Sequence, residues 1–532
     1  MSTTGETARG AQNVAAQGSI VSAMTMLSRI SGLLRDMVLS YFFGATNVAD
    51  AFFVAFRIPN FFRRLFAEGA FNQAFVPVLA EYSQRPAAEL RRFVAVMAGN
   101  LSAVLLPVVL IGVLCAPALV MVFAPGFWDD GGRYQIAVDM VRITFPYLGF
   151  ISLTAFAGAV LNCHHRYAVP AFTPVLLNLS LISAVLFAAD LFAEPVLALA
   201  WGVLVAGFVQ LAFQLPALQR FGMVVRPRVE FRDPGARQVG RLLGPALFAA
   251  SVNQINSLID TMLASTLVVG SISWLYYSDR LFELPIGVVA IALGTVLLPN
   301  LSRLHTANEE VDEDAAAHER ARARFGAMLD WGMRVGALLG LPAAVALFGL
   351  SVPLIATIFL RGELTDVDTL MAALSLQAFA LGLPALVWVK VLAPGYFARQ
   401  DTATPFRFAT LSVATNVTLN LAMFWWLGHV GLALATSAAG WVNALLLLRG
   451  LVRTGHYQPG RALLLTVVRA GAGATAMLGA ILWLIPAAPE WLAMGELDRV
   501  AWMAAAVALG VAVYVITLLL FGERPRHVLH RA

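Results

Sequence analysis

The sequence predicts an all-α polytopic membrane protein: about fourteen transmembrane helices, in two pseudo-symmetric six-helix lobes around a central cavity, plus two C-terminal helices. Three observations carry this prediction. Only 13% of the 532 residues are charged, 59% are hydrophobic, and the mean hydropathy is +0.77. A soluble domain carries about 25% charged residues. Runs of roughly 20 apolar residues, separated by short polar stretches, recur from Val21 to Phe521. Arginine is concentrated in every second connection between those runs.

The expected spans are 20–43, 47–83, 91–124, 134–162, 170–189, 195–219, 241–268, 273–302, 325–359, 369–397, 405–427, 430–452, 462–486 and 499–522. Most are apolar all round, whereas helices of a soluble bundle keep a polar face. The second is too long for one straight crossing. Either the Gly69 region breaks it or its end lies along the interface. Met1 to Gly18 is polar and lacks an apolar core after a basic stretch, which excludes a cleavable signal peptide. Cys115 and Cys163 both fall in apolar runs and imply neither a disulfide framework nor a metal site.

Loop charge sets the orientation. The even-numbered connections and the two tails hold 23 arginines; the odd connections hold only Arg133, Arg361 and Arg499, amid acids such as Asp129, Asp190 and Glu363. Basic loops stay in the cytoplasm, so both termini are expected there, in a bacterial inner membrane. This distribution accounts for the net charge of +5 without a nucleic-acid partner.

The chain also repeats. Val196-Leu197-Ala198-Leu199-Ala200 returns as Gly431-Leu432-Ala433-Leu434-Ala435 at an offset of 235, as does Pro170 at Pro405. Arg64-Leu65-Phe66 returns more loosely as Arg280-Leu281-Phe282 at an offset of 216. Chance explains any one match among Leu/Ala-rich helices; three in register favour duplication. The expected division is a tail at 1–19, an N-terminal lobe at 20–222, a C-terminal lobe at 223–455, and the last two helices with a tail at 456–532. Repeats of this kind work by rocking about a central site.

The informative residues are ionisable groups inside apolar spans. The first span carries Arg29, Arg35 and Asp36; the second carries Asp50, Arg57, Arg63, Arg64 and Glu68; the eighth carries Asp279, Arg280 and Glu283; the tenth carries Lys390, the chain's single lysine. An arginine at the membrane centre costs about 2.5–3.5 kcal/mol even on the lenient scale, so these must face protein, a counter-charge or water. Internal pairing explains single residues: Arg29 and Asp36 share a face, and Asp279, Arg280 and Glu283 can pair locally. It explains the group poorly, since five arginines from Arg29 to Arg64 outnumber two carboxylates. Arginine's planar fork binds phosphate bidentately and never deprotonates, so a pyrophosphate suits this excess. Arg29 and Arg35 point about 120° apart on an ideal helix, unless Gly32 allows a bend.

A second polar set comprises Asp260, Asn416, Asn420 and Thr436. One carboxylate with neutral oxygens suits sodium; a hydrogen-bonded helix contact explains the same residues equally well. There is no Gly-rich nucleotide loop followed by lysine and no nucleophile, base and orienter set. The chain is therefore expected to be a transporter rather than an enzyme, and not driven by its own ATP hydrolysis. His164-His165 reads as an interfacial pair rather than a metal site.

Several runs resemble the MurJ (MviN) lipid II flippases: Met24-Thr25-Met26-Leu27-Ser28-Arg29 with Gly32 and Arg35-Asp36; Asp50 to Phe71; Trp274-Leu275-Tyr276-Tyr277-Ser278-Asp279-Arg280-Leu281 with Glu283; and Lys390 to Asp401. The resemblance runs from about Val21 to the last helix. It implies the fold of the multidrug/oligosaccharidyl-lipid/polysaccharide exporter superfamily and lipid II, the undecaprenyl-pyrophosphate glycopeptide, as the substrate. It implies substrate-binding roles for Arg29, Arg35, Arg63 and Arg280, supported by the acids Asp36, Asp50 and Glu283. Asp279 joins these acids as a local partner, and Arg64 and Lys390 are further candidates. In some members a sodium site matches Asp260, Asn416, Asn420 and Thr436; Asn420 stands where such a member has an acid, which weakens the site by one charge. The groove beside the last two helices is expected to hold the lipid tail. No cofactor is expected, and sodium and the membrane potential both stand as energy sources. Expected partners are lipid II, membrane lipids and cell-wall synthesis proteins. The rival readings are a flippase for another polyprenyl-pyrophosphate glycan, a multidrug antiporter and a non-transporting scaffold for cell-wall enzymes.

Overall fold

The computed structural model describes residues 3–64, 70–309 and 315–523, which form helices and short connections with no strand among them. The helices are α1 (Thr3–Phe43), α2 (Asn47–Arg63), α3 (Ala70–Ser83), α4 (Ala87–Leu114), α5 (Ala116–Phe123), α6 (Gly131–Thr144), α7 (Tyr147–Cys163), α8 (Ala168–Ala188), α9 (Leu197–Arg220) and α10 (Pro234–Ser265). They continue as α11 (Ser271–Glu309), α12 (Ala315–Gly349), α13 (Ser351–Phe359), α14 (Asp366–Ala380), α15 (Leu383–Phe397), α16 (Ala403–Arg453), α17 (Arg461–Leu484), α18 (Ala488–Ala493) and α19 (Glu496–Leu520).

Most departures from the expected spans have a local cause. The spans 91–124, 134–162, 325–359 and 369–397 are each two helices in series. Each new helix has a proline at or next to its first turn: Pro117, Pro146, Pro353 and Pro384. Proline starts a helix readily because the first turn needs no N–H from it, but it interrupts the one before. The expected spans 405–427 and 430–452 are the two legs of α16, separated at Gly428, whose φ of 53° and ψ of −131° only glycine adopts without strain. The second expected span is divided into α2 and α3; the expected break at Gly69 lies outside the described residues. The tail expected at 1–19 is instead mostly helical, because α1 begins at Thr3.

Nine stretches among the described residues are long and apolar enough to cross a membrane. The four expected spans outside that set are those of α1, of α2 with α3, of α10 and of α11. These helices carry all the ionisable residues singled out inside the spans except Lys390, Arg64, which caps α2, and Glu68, which lies outside the described residues.

The chain divides into two compact units, residues 1–270 and 271–532. The first therefore takes in α10, which the expected boundary at 222 had placed in the second lobe. The reason lies in the linker after α9. Asn100 on α4 donates from Nδ2 to the Glu230 carbonyl at 3.1 Å and accepts the Glu230 N–H at 2.8 Å. The Arg228 N–H reaches the Ala95 carbonyl at 2.9 Å. Gly99 lets the linker lie flat on α4, since a Cβ there would stand 2.2 Å from the Arg228 carbonyl oxygen. Val239 of α10 is then buried in a core with Phe71, Phe75, Phe93 and Phe156, in which Phe71 stacks on Phe75 at 5.0 Å.

In the second unit, α17 packs on α12, and α19 packs on α17 and α13, around a core of Leu350, Met477, Ile481 and Tyr514. The Tyr514 hydroxyl donates to the Leu338 carbonyl at 2.7 Å. At one end of these helices Thr466 donates to Glu523 at 2.9 Å and Arg469 at 3.2 Å, while Arg334 donates to Thr466 at 3.2 Å. The last two helices are thus part of this unit.

Asn100→Leu should remove both linker hydrogen bonds at once and leave two backbone groups of Glu230 unmatched, a loss of about 2–4 kcal/mol at roughly 1–2 kcal/mol each. Limited trypsin digestion should then cut at Arg226, Arg228 or Arg232 well before the helices. Unchanged cleavage would show that the linker is held by other contacts.

Candidate functional site

In the first unit, Arg35 is 5% and Asp36 1% exposed. Arg35 donates from Nε at 2.9 Å and from Nη2 at 2.6 Å to one oxygen of Asp36, and from Nη1 to Asn178 Oδ1 at 3.0 Å. Asn178 of α8 returns its Nδ2 to the Ser28 carbonyl at 3.2 Å and to Ser31 Oγ at 2.9 Å. The predicted partner of Asp36 was Arg29; the neighbouring Arg35 takes that place. Arg35 thus holds Asp36 and the asparagine of α8 at once. Arg29, two turns before Asp36 and on the same face of the unbroken α1, is half-buried, with no hydrogen bond or ion pair to any described residue.

The arginines of α2 meet neutral acceptors. Arg57 donates to Thr261 Oγ1 of α10 at 2.7 Å, and Arg63 donates to Asn60 Oδ1 at 3.0 Å. Arg64 is exposed at the C-cap of α2. Asp50, 1% exposed, accepts the Gly270 N–H at 2.8 Å and lies 4.0 Å from Arg133. It anchors the turn after α10 and meets an arginine from another helix. The two carboxylates counted against five arginines are therefore both engaged, one of them by an arginine outside the set.

Arg133, Arg361 and Arg499 are the three exceptions to the loop-charge rule, and all three have protein partners. Arg133 also meets Asp130 at 3.4 Å and covers the Phe127 ring at 4.3 Å. Arg361 pairs with Glu496 at 3.3 Å. Arg499, 7% exposed, donates to the carbonyls of Trp491, Leu492 and Leu360.

In the second unit, Arg280 lies over the Tyr276 ring at 4.8 Å, donates to its hydroxyl at 3.0 Å and stands 3.5 Å from Glu283. That ion pair is largely exposed and contributes little to stability. Asp279 is half-buried, and Lys390 is exposed on α15. Outside the spans, burial and the nearby Arg399, Arg322 and His305 hold the His456 imidazole below its ordinary range.

The expected cation set falls in both units. Asp260, in the first, accepts from Asn256 Nδ2 at 3.3 Å. In the second, Asn420 Nδ2 donates to Asn416 Oδ1 at 2.7 Å, and Asn416 Nδ2 donates to Thr436 Oγ1 at 3.2 Å. The amide and hydroxyl oxygens of Asn416 and Thr436 thus already receive N–H groups. As arranged, these three neutral residues join the two legs of α16. No cluster of three or more His, Cys, Asp or Glu occurs among the described residues.

Sequence reasoning missed Asn178 and Asn100. Each sits in an apolar run, and its partner far along the chain leaves no local signal.

Two helical units with nine described stretches long and apolar enough to cross a membrane define the class, a polytopic helical membrane protein. The fold is shared with a structure titled as the inward-facing conformation of a multidrug resistance MATE family transporter of the MOP superfamily, which superposes with a TM-score of 0.61 at 14% identity, covering 82% of this chain and 98% of the other. A structure titled "Lipid II flippase MurJ, inward closed conformation" superposes with a TM-score of 0.77 at 26% identity, over 94% of this chain and 98% of that one. The "Probable lipid II flippase MurJ" of Vibrio cholerae is 44% identical over 515 residues, 95% of this chain and 96% of its own length. The family profile described as "Lipid II flippase MurJ" matches residues 39–501. The chain belongs to the MurJ lipid II flippase family, a family of transporters rather than enzymes.

Removing one partner of a buried pair leaves the other charge uncompensated, at about 3–5 kcal/mol. Asp36→Ala should therefore reduce folded protein in the membrane sharply, and Arg35→Leu with Asp36→Leu should restore much of it. If the double variant is as depleted as the single one, the pair matters for more than mutual neutralisation.

Proposed function

We propose that this protein moves lipid II from the cytoplasmic to the periplasmic leaflet of the bacterial inner membrane by alternating access, with both termini in the cytoplasm. The observation that carries this reading is the charge imbalance of α1 and α2. Asp36 is held by Arg35, and Asp50 is held by the Gly270 N–H and Arg133. Arg29 is left half-buried with no described partner. A fixed cation excess in apolar helices is stabilised by an anionic guest. The pyrophosphate of lipid II offers paired oxygens that match the guanidinium fork.

In this reading Arg29, Arg63 and Arg280 engage the pyrophosphate. Arg35 positions α1 through Asp36 and Asn178 and presents its positive field to the same guest. Glu283 and Asp279 screen Arg280 when no substrate is bound. The unloaded site is net cationic, so an inside-negative potential favours its return toward the cytoplasm, at about 2.3 kcal/mol per charge per 100 mV. The hydrogen-bonded state of Asn416, Asn420 and Thr436 supports the potential over sodium as the energy source.

In a conditional flippase-depleted strain, wild type should restore lipid II at the outer face. Arg29→Ala, at normal membrane abundance, should lower it roughly 10–100-fold, the equivalent of one charge-assisted contact of about 1.5–3 kcal/mol. Restoration by the alanine variant at the wild-type level would remove the anion-binding role and favour a scaffold.

In vesicles containing the purified protein, translocation should fall when the potential is collapsed and should not change when sodium is exchanged for potassium at constant potential. The opposite pattern would assign the energy to sodium.

A further inference from the structure

The first unit contains a groove that the arginine set does not use. Its volume is about 750 Å³ and it runs between α3, α7 and α8, within the roughly 300–1,000 Å³ typical of ligand sites. The α3 wall presents Asn72, Val76, Ala80 and Ser83, successive turns of one face spanning about 16 Å. His165 and Tyr167 line it from the connection that loop charge places on the cytoplasmic side. No Asp, Glu, Lys or Arg is among the described residues lining it.

Its polar lining is mostly amides and hydroxyls, Asn72, Thr154, Asn162 and Gln214 among them, with the His165 imidazole beside them, set among Ile151 and Pro170. Neutral amides are costly against hydrocarbon, so the groove faces water or a ligand rather than lipid tails. Gln214 is 1% exposed, and its amide oxygen has no hydrogen-bond partner. A buried carbonyl in this state is unfavourable unless something donates to it. Gly158 keeps the space beside it clear, since a Cβ there would stand 3.2 Å from Pro170 Cβ and 3.8 Å from Gln214 Oε1. One turn before Gln214, Gln210 uses its own N–H on the Thr173 carbonyl at 2.8 Å. That bond fixes the α8 wall behind the site.

Uncharged donors and acceptors on an apolar floor match an N-acetylated sugar, which presents hydroxyls and amides at its edges and C–H faces between them. We propose that this groove binds the uncharged disaccharide of the lipid-linked substrate, with Gln214 accepting a hydroxyl or amide N–H from it. The inference rests on the lipid II reading and assigns the sugar a place apart from the pyrophosphate.

The test uses the full-length protein in lipid nanodiscs with two probes. Di-N-acetylchitobiose carries neutral N-acetyl sugars without lipid or phosphate. Undecaprenyl pyrophosphate carries lipid and phosphate without sugar. Wild type should bind both. Gln214→Leu, which removes the acceptor, and Ala155→Leu, which fills the groove from α7, should each weaken chitobiose binding about tenfold, the factor for one lost hydrogen bond. Both variants should bind undecaprenyl pyrophosphate as wild type does. Chitobiose binding that is absent in wild type, or unchanged in both variants, would overturn the proposal while leaving the anion site standing. A wild type that does not bind undecaprenyl pyrophosphate would overturn the lipid II reading, and this proposal with it.

Discussion

A formal charge placed in hydrocarbon has to be neutralised, hydrated or hydrogen-bonded, and that constraint organises this protein more than apolar packing does. Apolar packing is nearly indifferent within a membrane, because a leucine gains little by leaving lipid for protein. Charges are not indifferent. Arg35 therefore holds Asp36, and Asn178 sits where it can accept from the guanidinium and donate to α1. Asp50 similarly ties the turn at Gly270 and faces Arg133, which links the start of α2 to α6 and to the end of α10. Each pair fixes the position of two or three helices.

The same constraint explains the loop charges. Arginine count orients a membrane protein when those charges are free to hold a loop in the cytoplasm. Arg133 and Arg361 have carboxylate partners, and Arg499 is buried against three carbonyls. Their charge is spent within the fold, so they conflict with the orientation in number only.

The fold class was legible in the sequence because it depends on composition and period, which are local. The long apolar spans survive as helices, and even the paired helices in series follow from prolines visible in the sequence. The unit boundary was not legible. It depends on Asn100 meeting the backbone of Glu230, a contact between residues 130 apart, and nothing around either residue announces it. The arginines of the site were visible as types in the wrong environment. Their division of labour was not, since Arg29 and Arg35 look alike in sequence and only the position of Asn178 separates them. The chain Asn420–Asn416–Thr436 shows a related limit. Residue types alone fit a cation site and a helix contact equally, and they do not announce the two amide hydrogen bonds that join the legs of α16.

A transporter must release what it binds, and this bears on how its recognition is divided. A single site that satisfied every group of a pyrophosphate-linked glycan would hold it too well to let go. Strong, long-ranged attraction from arginines suits the pyrophosphate, which is the same in every lipid of this kind and therefore says little about identity. Neutral hydrogen bonds are weaker and more directional, and they discriminate by leaving an unmatched group buried when the wrong ligand enters. An anion site on α1 and α2 and a neutral groove walled by α3, α7 and α8 would separate capture from selection. Breaking one set of contacts would then leave the other still holding the substrate, so that release proceeds in steps rather than across one high barrier.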